Sequence, residues 1–220
     1  MGSITRSFAN NIGSSGILTA SAVTNATVED VTSFDNAASP ATLVLLSTQT
    51  ASSSANISFT TGLDSTYDEY IFKFINIHPA TDDVSFTFNM STDSGSNYNV
   101  TKTTTFFNAY HAEADNSNGL GYDTGRDLAQ STAFQIISYN VGNSSDENLG
   151  GTLTLFNPAS TTYVKHFISN ANLNTSGDLS INTYVAGYGN TTSAVNAVQF
   201  KMSSGNIDDG IIKLYGVKKS

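Results

Sequence analysis

Residues 70–100 read YIFKFINIHPATDDVSFTFNMSTDSGSNYNV, two apolar runs parted by one polar break and closed by another. In the second run Val84, Phe86, Phe88 and Met90 alternate with Ser85, Thr87 and Asn89. Successive side chains of a strand point to opposite faces, so this spacing predicts a strand with one face in a core. In the first run Tyr70, Phe72 and Phe74 share one face; Ile71, Ile75 and Ile77 share the other, interrupted by Lys73. That pattern predicts a strand covered on both sides, in the middle of a sandwich. Pro79 has no N–H for a ladder and restrains the residue before it, so the run is expected to end near His78. Asp93-Ser94-Gly95-Ser96-Asn97 then reads as a turn, with Gly95 free to take a positive φ.

The rest of the chain repeats this grammar. Leu43–Leu46 opens the body and a Ser/Thr/Ala link leads to Ala55–Thr60, with a turn over Gly62–Asp68. Further strands are expected over Val100–Tyr110, Phe134–Val141, Gly151–Phe156, Tyr163–Ser169, Asp178–Tyr188, Val195–Met202 and Gly210–Val217. Asn108–Gln130 has weak alternation and reads as the longest irregular region. No stretch has a convincing helical period. Many short strands with turn signals every 8–12 residues or so mean an all-β sandwich or barrel. A jelly-roll-like antiparallel β-sandwich, about eight strands in two sheets, fits best.

Composition bounds the rest. The chain has 220 residues, enough to bury roughly 70% of its unfolded surface without metal or disulfide. Only 12% of residues are charged, and nine Lys and Arg stand against eighteen Asp and Glu, a net charge of −9. Such a surface repels phosphate backbones and anionic lipid, so neither nucleic acid nor membrane is an expected partner. The chain has no cysteine, which removes disulfides, thiolate metal sites and thiol nucleophiles. No signal-peptide pattern opens it and no run approaches a membrane span, so synthesis in a cytoplasm is expected.

Residues 1–40 have scattered single hydrophobes, chiefly Phe8, Ile12, Ile17, Leu18 and Phe34, among small polar residues. They cannot build a core alone, and a floppy tail is the competing reading. So many large apolar side chains fit a docking arm or an edge strand better. The expected division is an arm over 1–40 and a sandwich over 41–220.

Chemistry is sparse. There is no nucleophile elbow, no zinc-protease motif and no phosphate loop. His111, Glu113 and Asp115 fall at period two and resemble a metal-ligand set, but an acidic loop with a chance histidine is the simpler reading. Asp93–Asn97 lacks the dense acids of a calcium loop, so a hairpin turn is preferred. No metal, cofactor or catalytic residue is assigned. Tyr110, Tyr122 and Arg126, in or beside the long loop, are the candidate binding residues, because amphipathic rings at loop mouths suit sugars or partner chains.

Three segments together resemble structural proteins of tailed bacteriophages, especially marine and cyanobacterial ones. They are ITRSFANNI near the start, TYDEYIFKFINIHPATDDVSFTFNMSTDSGSNYN in the centre, and VAGYGNTTSAVNAVQFKMSSGNIDDGIIKLYGVK at the end. The terminal "SGNI…GIIKLYGV" pattern is the most specific of them. The resemblance implies a non-enzymatic virion protein with a jelly-roll-like sandwich, displayed on the head, neck or fibre apparatus, and it brings no catalytic residues. The expectation is therefore a particle component anchored by its N-terminal arm to other virion proteins and assembled as a homo-oligomer, with a trimer favoured. The alternative is a module that binds host-surface glycan through the Asn108–Gln130 loop. A hydrolase would need an acid pair that the sequence does not single out.

Overall fold

Twelve strands and no helix make up the described part of the chain, residues 42–219 of a computed structural model. The expected arm, with Phe8, Ile12, Ile17, Leu18 and Phe34, lies outside the described residues. The strands are β1 (Leu43–Ser54), β2 (Ile57–Phe59), β3 (Glu69–Pro79), β4 (Val84–Ser91), β5 (Lys102–Ala112) and β6 (Asn118–Tyr122). They continue with β7 (Gln135–Val141), β8 (Leu149–Phe156), β9 (Lys165–Asn174), β10 (Leu179–Gly189), β11 (Ala197–Met202) and β12 (Ile207–Val217).

An eight-stranded sheet runs β1-β12-β3-β8-β9-β10-β5-β6 and a four-stranded sheet runs β2-β11-β4-β7. Every pairing is antiparallel. The nesting of pairs gives the topology. β1 pairs with β12, β2 with β11, β3 with β8 and β4 with β7, as in one long hairpin folded over on itself. The described domain is therefore a jelly roll, as the sequence predicts. Two insertions enlarge it: β5–β6 between β4 and β7, and β9–β10 between β8 and β11. Both join the larger sheet beyond β8 and double it from four strands to eight.

The core lies between the sheets and follows the alternation. Val84, Phe86, Phe88 and Met90 are buried, as are Tyr70, Phe72 and Phe74 facing them. Phe200 is the hub, with its ring 5.2 Å from Phe72, 5.3 Å from Phe74 and 5.8 Å from Phe86. Edge-to-face and offset contacts of this kind add to what burial alone contributes.

Four expectations change. Ile77 turns into the core instead of sharing a face with Ile71 and Ile75, because Asn76 takes φ 50 and the register shifts between Phe74 and Ile77. Gly210 faces that bulge with φ 123, and a Cβ there would come within 2.7 Å of the Asn76 carbonyl oxygen. The opposite face of β3 is open: Ile75 is exposed and Ile71 and Lys73 are half-buried. The supposed link after Leu46 is part of β1, whose polar residues continue the ladder against β12 to Ser54. Asn108–Gln130 is not wholly irregular, since it contains β6.

Two lysines are buried inside, each in register with Gly189 from opposite sides. The Lys102 ammonium donates to Asn89 Oδ1 at 2.5 Å and to the Val100 carbonyl at 2.8 Å. Lys165 donates to the Tyr163 carbonyl at 2.5 Å and to that of Thr191 at 3.3 Å. Neither meets a carboxylate among the described residues. Burial without an opposite charge disfavours the protonated form, so Lys102 is pushed down to about 7 and Lys165 is lowered too.

Candidate functional site

Cross-strand partners share a face, so the register identifies the side chains on the outside of the larger sheet. One row reads Leu45, Tyr215, Ile71, Thr154, Ile168, Ala186, Thr105 across seven strands. The next reads Thr48, Lys213, Lys73, Thr152, Asn170, Tyr184, Phe107, Tyr122 across all eight. Of the exposed large hydrophobic side chains among the described residues, all but Tyr163 lie on this face: Leu43, Leu45, Ile75, Phe107, Leu120, Tyr122, Phe156, Ile168 and Tyr184. Scattered exposed hydrophobes are ordinary, but their concentration on one sheet face makes it the candidate interaction surface. The face has few charges, Glu69 at one margin and the cross-strand pair Lys73–Lys213 in its middle.

Within it, Ala186 and Gly187 leave a depression of about 450 Å³ walled by Phe156, His166, Ile168, Tyr188, Thr103 and Thr105. The small residues cause it, since they lower the floor between taller neighbours. Beside it the Phe107 and Tyr184 rings stack at 4.8 Å. Asn170 donates to Asn182 Oδ1 at 2.8 Å, and Asn182 donates to Tyr184 Oη at 2.7 Å, so an amide ladder borders the stack.

Charge is segregated along the strands. Thr42 and Lys218 meet at one end, where the Lys218 N–H donates to the Thr42 carbonyl. At the other end come the turns after β3, β5, β7, β9 and β11. With the first residues of β12 they carry Asp82, Asp83, Glu113, Asp115, Asp146, Glu147, Asp178, Asp208 and Asp209, and no Lys or Arg. Negative charge is therefore concentrated at that end of the described domain.

The residues singled out from sequence do not line one surface. Tyr122 stands on the outer face, with its hydroxyl 2.5 Å from Asp127 Oδ2, a bond that raises the phenol's pKa. Tyr110 pairs with Ile181 and Gly119 and points to the inner face, packed against the core. Arg126 lies over the Tyr139 ring at 3.6 Å and pairs with Asp123. Tyr139 is raised chiefly by its burial. Arg126 thus ties the β6–β7 loop to Tyr139. Phe107, Phe156 and Ile168 are not singled out by the sequence reading, although alternation against their buried neighbours places them outward.

Among the described residues no group of three His, Cys, Asp or Glu is placed to hold a metal ion. His111 Nε2 instead lies 3.1 Å from Asp115 Oδ1. His78 caps a strand end at 3.1 Å from the Ser144 carbonyl. The Asp93 loop is a turn with Gly95 at φ 88. Its carboxylate accepts from Ser91 Oγ at 2.6 Å and from Asn97 N and Nδ2 at 2.8 and 2.7 Å, which hold it down to about 2.

No family model, curated protein or solved structure matches the chain.

Proposed function

We propose that the protein is a non-enzymatic structural component of a virus particle of the tailed-phage type, docked on other virion proteins through the outer face of its larger sheet. One observation carries the reading: nearly all the exposed large apolar side chains of the described domain share that single, charge-poor face. Eight strands about 4.8 Å apart, most of them 10–12 residues long, span roughly 34 Å by 33 Å, so the face presents on the order of 1,000 Å², enough for one side of a standard specific interface. The sequence resemblance to tailed-phage structural proteins supplies the particle, and the sandwich supplies the surface. The head, neck or fibre apparatus are the stations it fits.

The experiment is incorporation into particles. Ile168→Lys puts a charge in the middle of the face without touching the core. It should give a folded protein that is depleted from purified particles. A folded Ile168→Lys protein incorporated at the wild-type level would refute the docking face. Catalytic turnover of a host polysaccharide by the purified protein would refute the non-enzymatic reading.

A second reading has its own observation. The stacked Phe107 and Tyr184 rings beside the Asn170–Asn182 amides combine apolar platforms with fixed hydrogen-bond groups, a combination that suits a glycan. Binding of host-surface glycan there, with Tyr122 at the margin, is tested on a glycan array with Tyr184→Ala as the control. Silence of the wild-type protein on the array retires it.

A further inference from the structure

We infer that β6 is a self-association edge, and that two copies of the chain join through antiparallel β6–β6 pairing about a two-fold axis at Leu120. The inference rests on the reading of the protein as an assembling component and specifies how copies meet.

The hydrogen-bond parity of the β5–β6 ladder exposes the edge. The Ala112 N–H donates to the Ser117 carbonyl at 2.8 Å, and the Asp123 N–H donates to the Phe106 carbonyl at 2.9 Å. Continuing that register, the bonded partners of β5 are Gly119 and Gly121, so the main-chain N–H and C=O groups of Asn118, Leu120 and Tyr122 face away from it. No strand among the described residues lies on that side.

Sheet edges are normally blunted by shortness, bulges, proline or charge. The other edges follow the rule. β1 has a register shift between Leu45 and Ser47, β2 is three residues long, and β7 pairs with two register shifts. β6 reads NGLGY, with no charge and no proline, and its pairing to β5 has no shift. Its Leu120 side chain is 75% exposed, the most of any large hydrophobe described. An edge strand with two glycines has little intrinsic strand preference, so a second strand alongside would be a direct source of order.

The occupant follows from symmetry. The outward residues are centred on Leu120, so a second β6 in antiparallel sense sets Leu120 against Leu120 and Asn118 against Tyr122, each pair closing two main-chain bonds. On the outer face the two Leu120 side chains meet, and the docking faces of both copies become continuous. Of the carboxylates flanking the strand in sequence, Asp123 is paired with Arg126, and β6 itself brings no charge to the axis. A two-fold pair gives even-numbered assemblies, where the sequence favoured three copies.

The test is the solution mass of the full chain by sedimentation equilibrium. Leu120→Pro deletes an outward N–H that β5 does not use, and Leu120→Lys keeps the N–H but opposes two like charges at the axis. Wild type should sediment at twice the chain mass or a multiple of it. Both variants should fall to half the wild-type value, with circular dichroism unchanged. A wild-type protein that stays monomeric overturns the pairing, as does a folded pair of variants with wild-type mass. Particle incorporation of Ile168→Lys is read separately, so failure of the edge is distinguishable from failure of the docking face.

Discussion

Replacing Lys102 with methionine removes a buried ammonium whose ordinary pKa of 10.5 is pushed down to about 7 by burial. In the unfolded chain the amine keeps its ordinary pKa, so between about pH 7 and 10.5 the unfolded state binds the extra proton. Stability therefore rises with pH across that window, and below it both states are protonated and the unfavourable contribution is constant. Each pH unit well inside the window is worth about 1.4 kcal/mol, so raising the pH from about 7 to 9 should stabilise the wild type by about 2 kcal/mol through this one group. Lys165 is shifted in the same direction and adds to the trend. Methionine abolishes the Lys102 part. It leaves the Val100 carbonyl without its donor, a pH-independent cost of about 1–3 kcal/mol. Asn89 Oδ1 keeps the Met90 N–H at 2.9 Å. The assay is urea unfolding of both proteins across the window. The wild-type curve should climb relative to the variant as pH rises, and a constant difference would show that Lys102 is not a strained buried cation.

Phe200→Ala should cost about 3–5 kcal/mol, because it empties the hub of the aromatic core, and a loss below about 1 kcal/mol would mean the sheets close elsewhere. Asp93 should titrate near 2 by NMR. Its contribution to stability is present above the ordinary carboxylate range and lost as pH falls through that value, and a midpoint at the ordinary 3.8 would deny the Ser91 and Asn97 bonds.

Period-two alternation made the sandwich legible, since a one-residue slip would send Phe86, Phe88 and Phe200 to solvent. Positions of the central strands followed from it, as did the inward sets of β4, β10 and β11. What alternation could not carry was any place where the backbone breaks its own period. Asn76 at φ 50 is such a place, and Ile77 changes face there. β6 was hidden for a different reason: its inward residues are Gly119 and Gly121, so its alternation has no apolar partner to reveal it. Polar strands were undervalued as well, because Ser47–Ser54 is held by the β12 ladder with Ala51 its one side chain in the apolar core. The binding candidates suffered from proximity in sequence. Tyr110 and Tyr122 sit on adjacent strands yet on opposite faces, a separation that only the register discloses.

The docking face has a direct measurement, helped by a chain that contains no cysteine. A single Ile168→Cys substitution in the middle of the face, and a single Asp82→Cys at the acidic end, can each be labelled with a maleimide in the free protein and in purified particles. The face should label readily in free protein and be protected in particles, while position 82 labels in both. Equal labelling of position 168 in the two states would contradict the account.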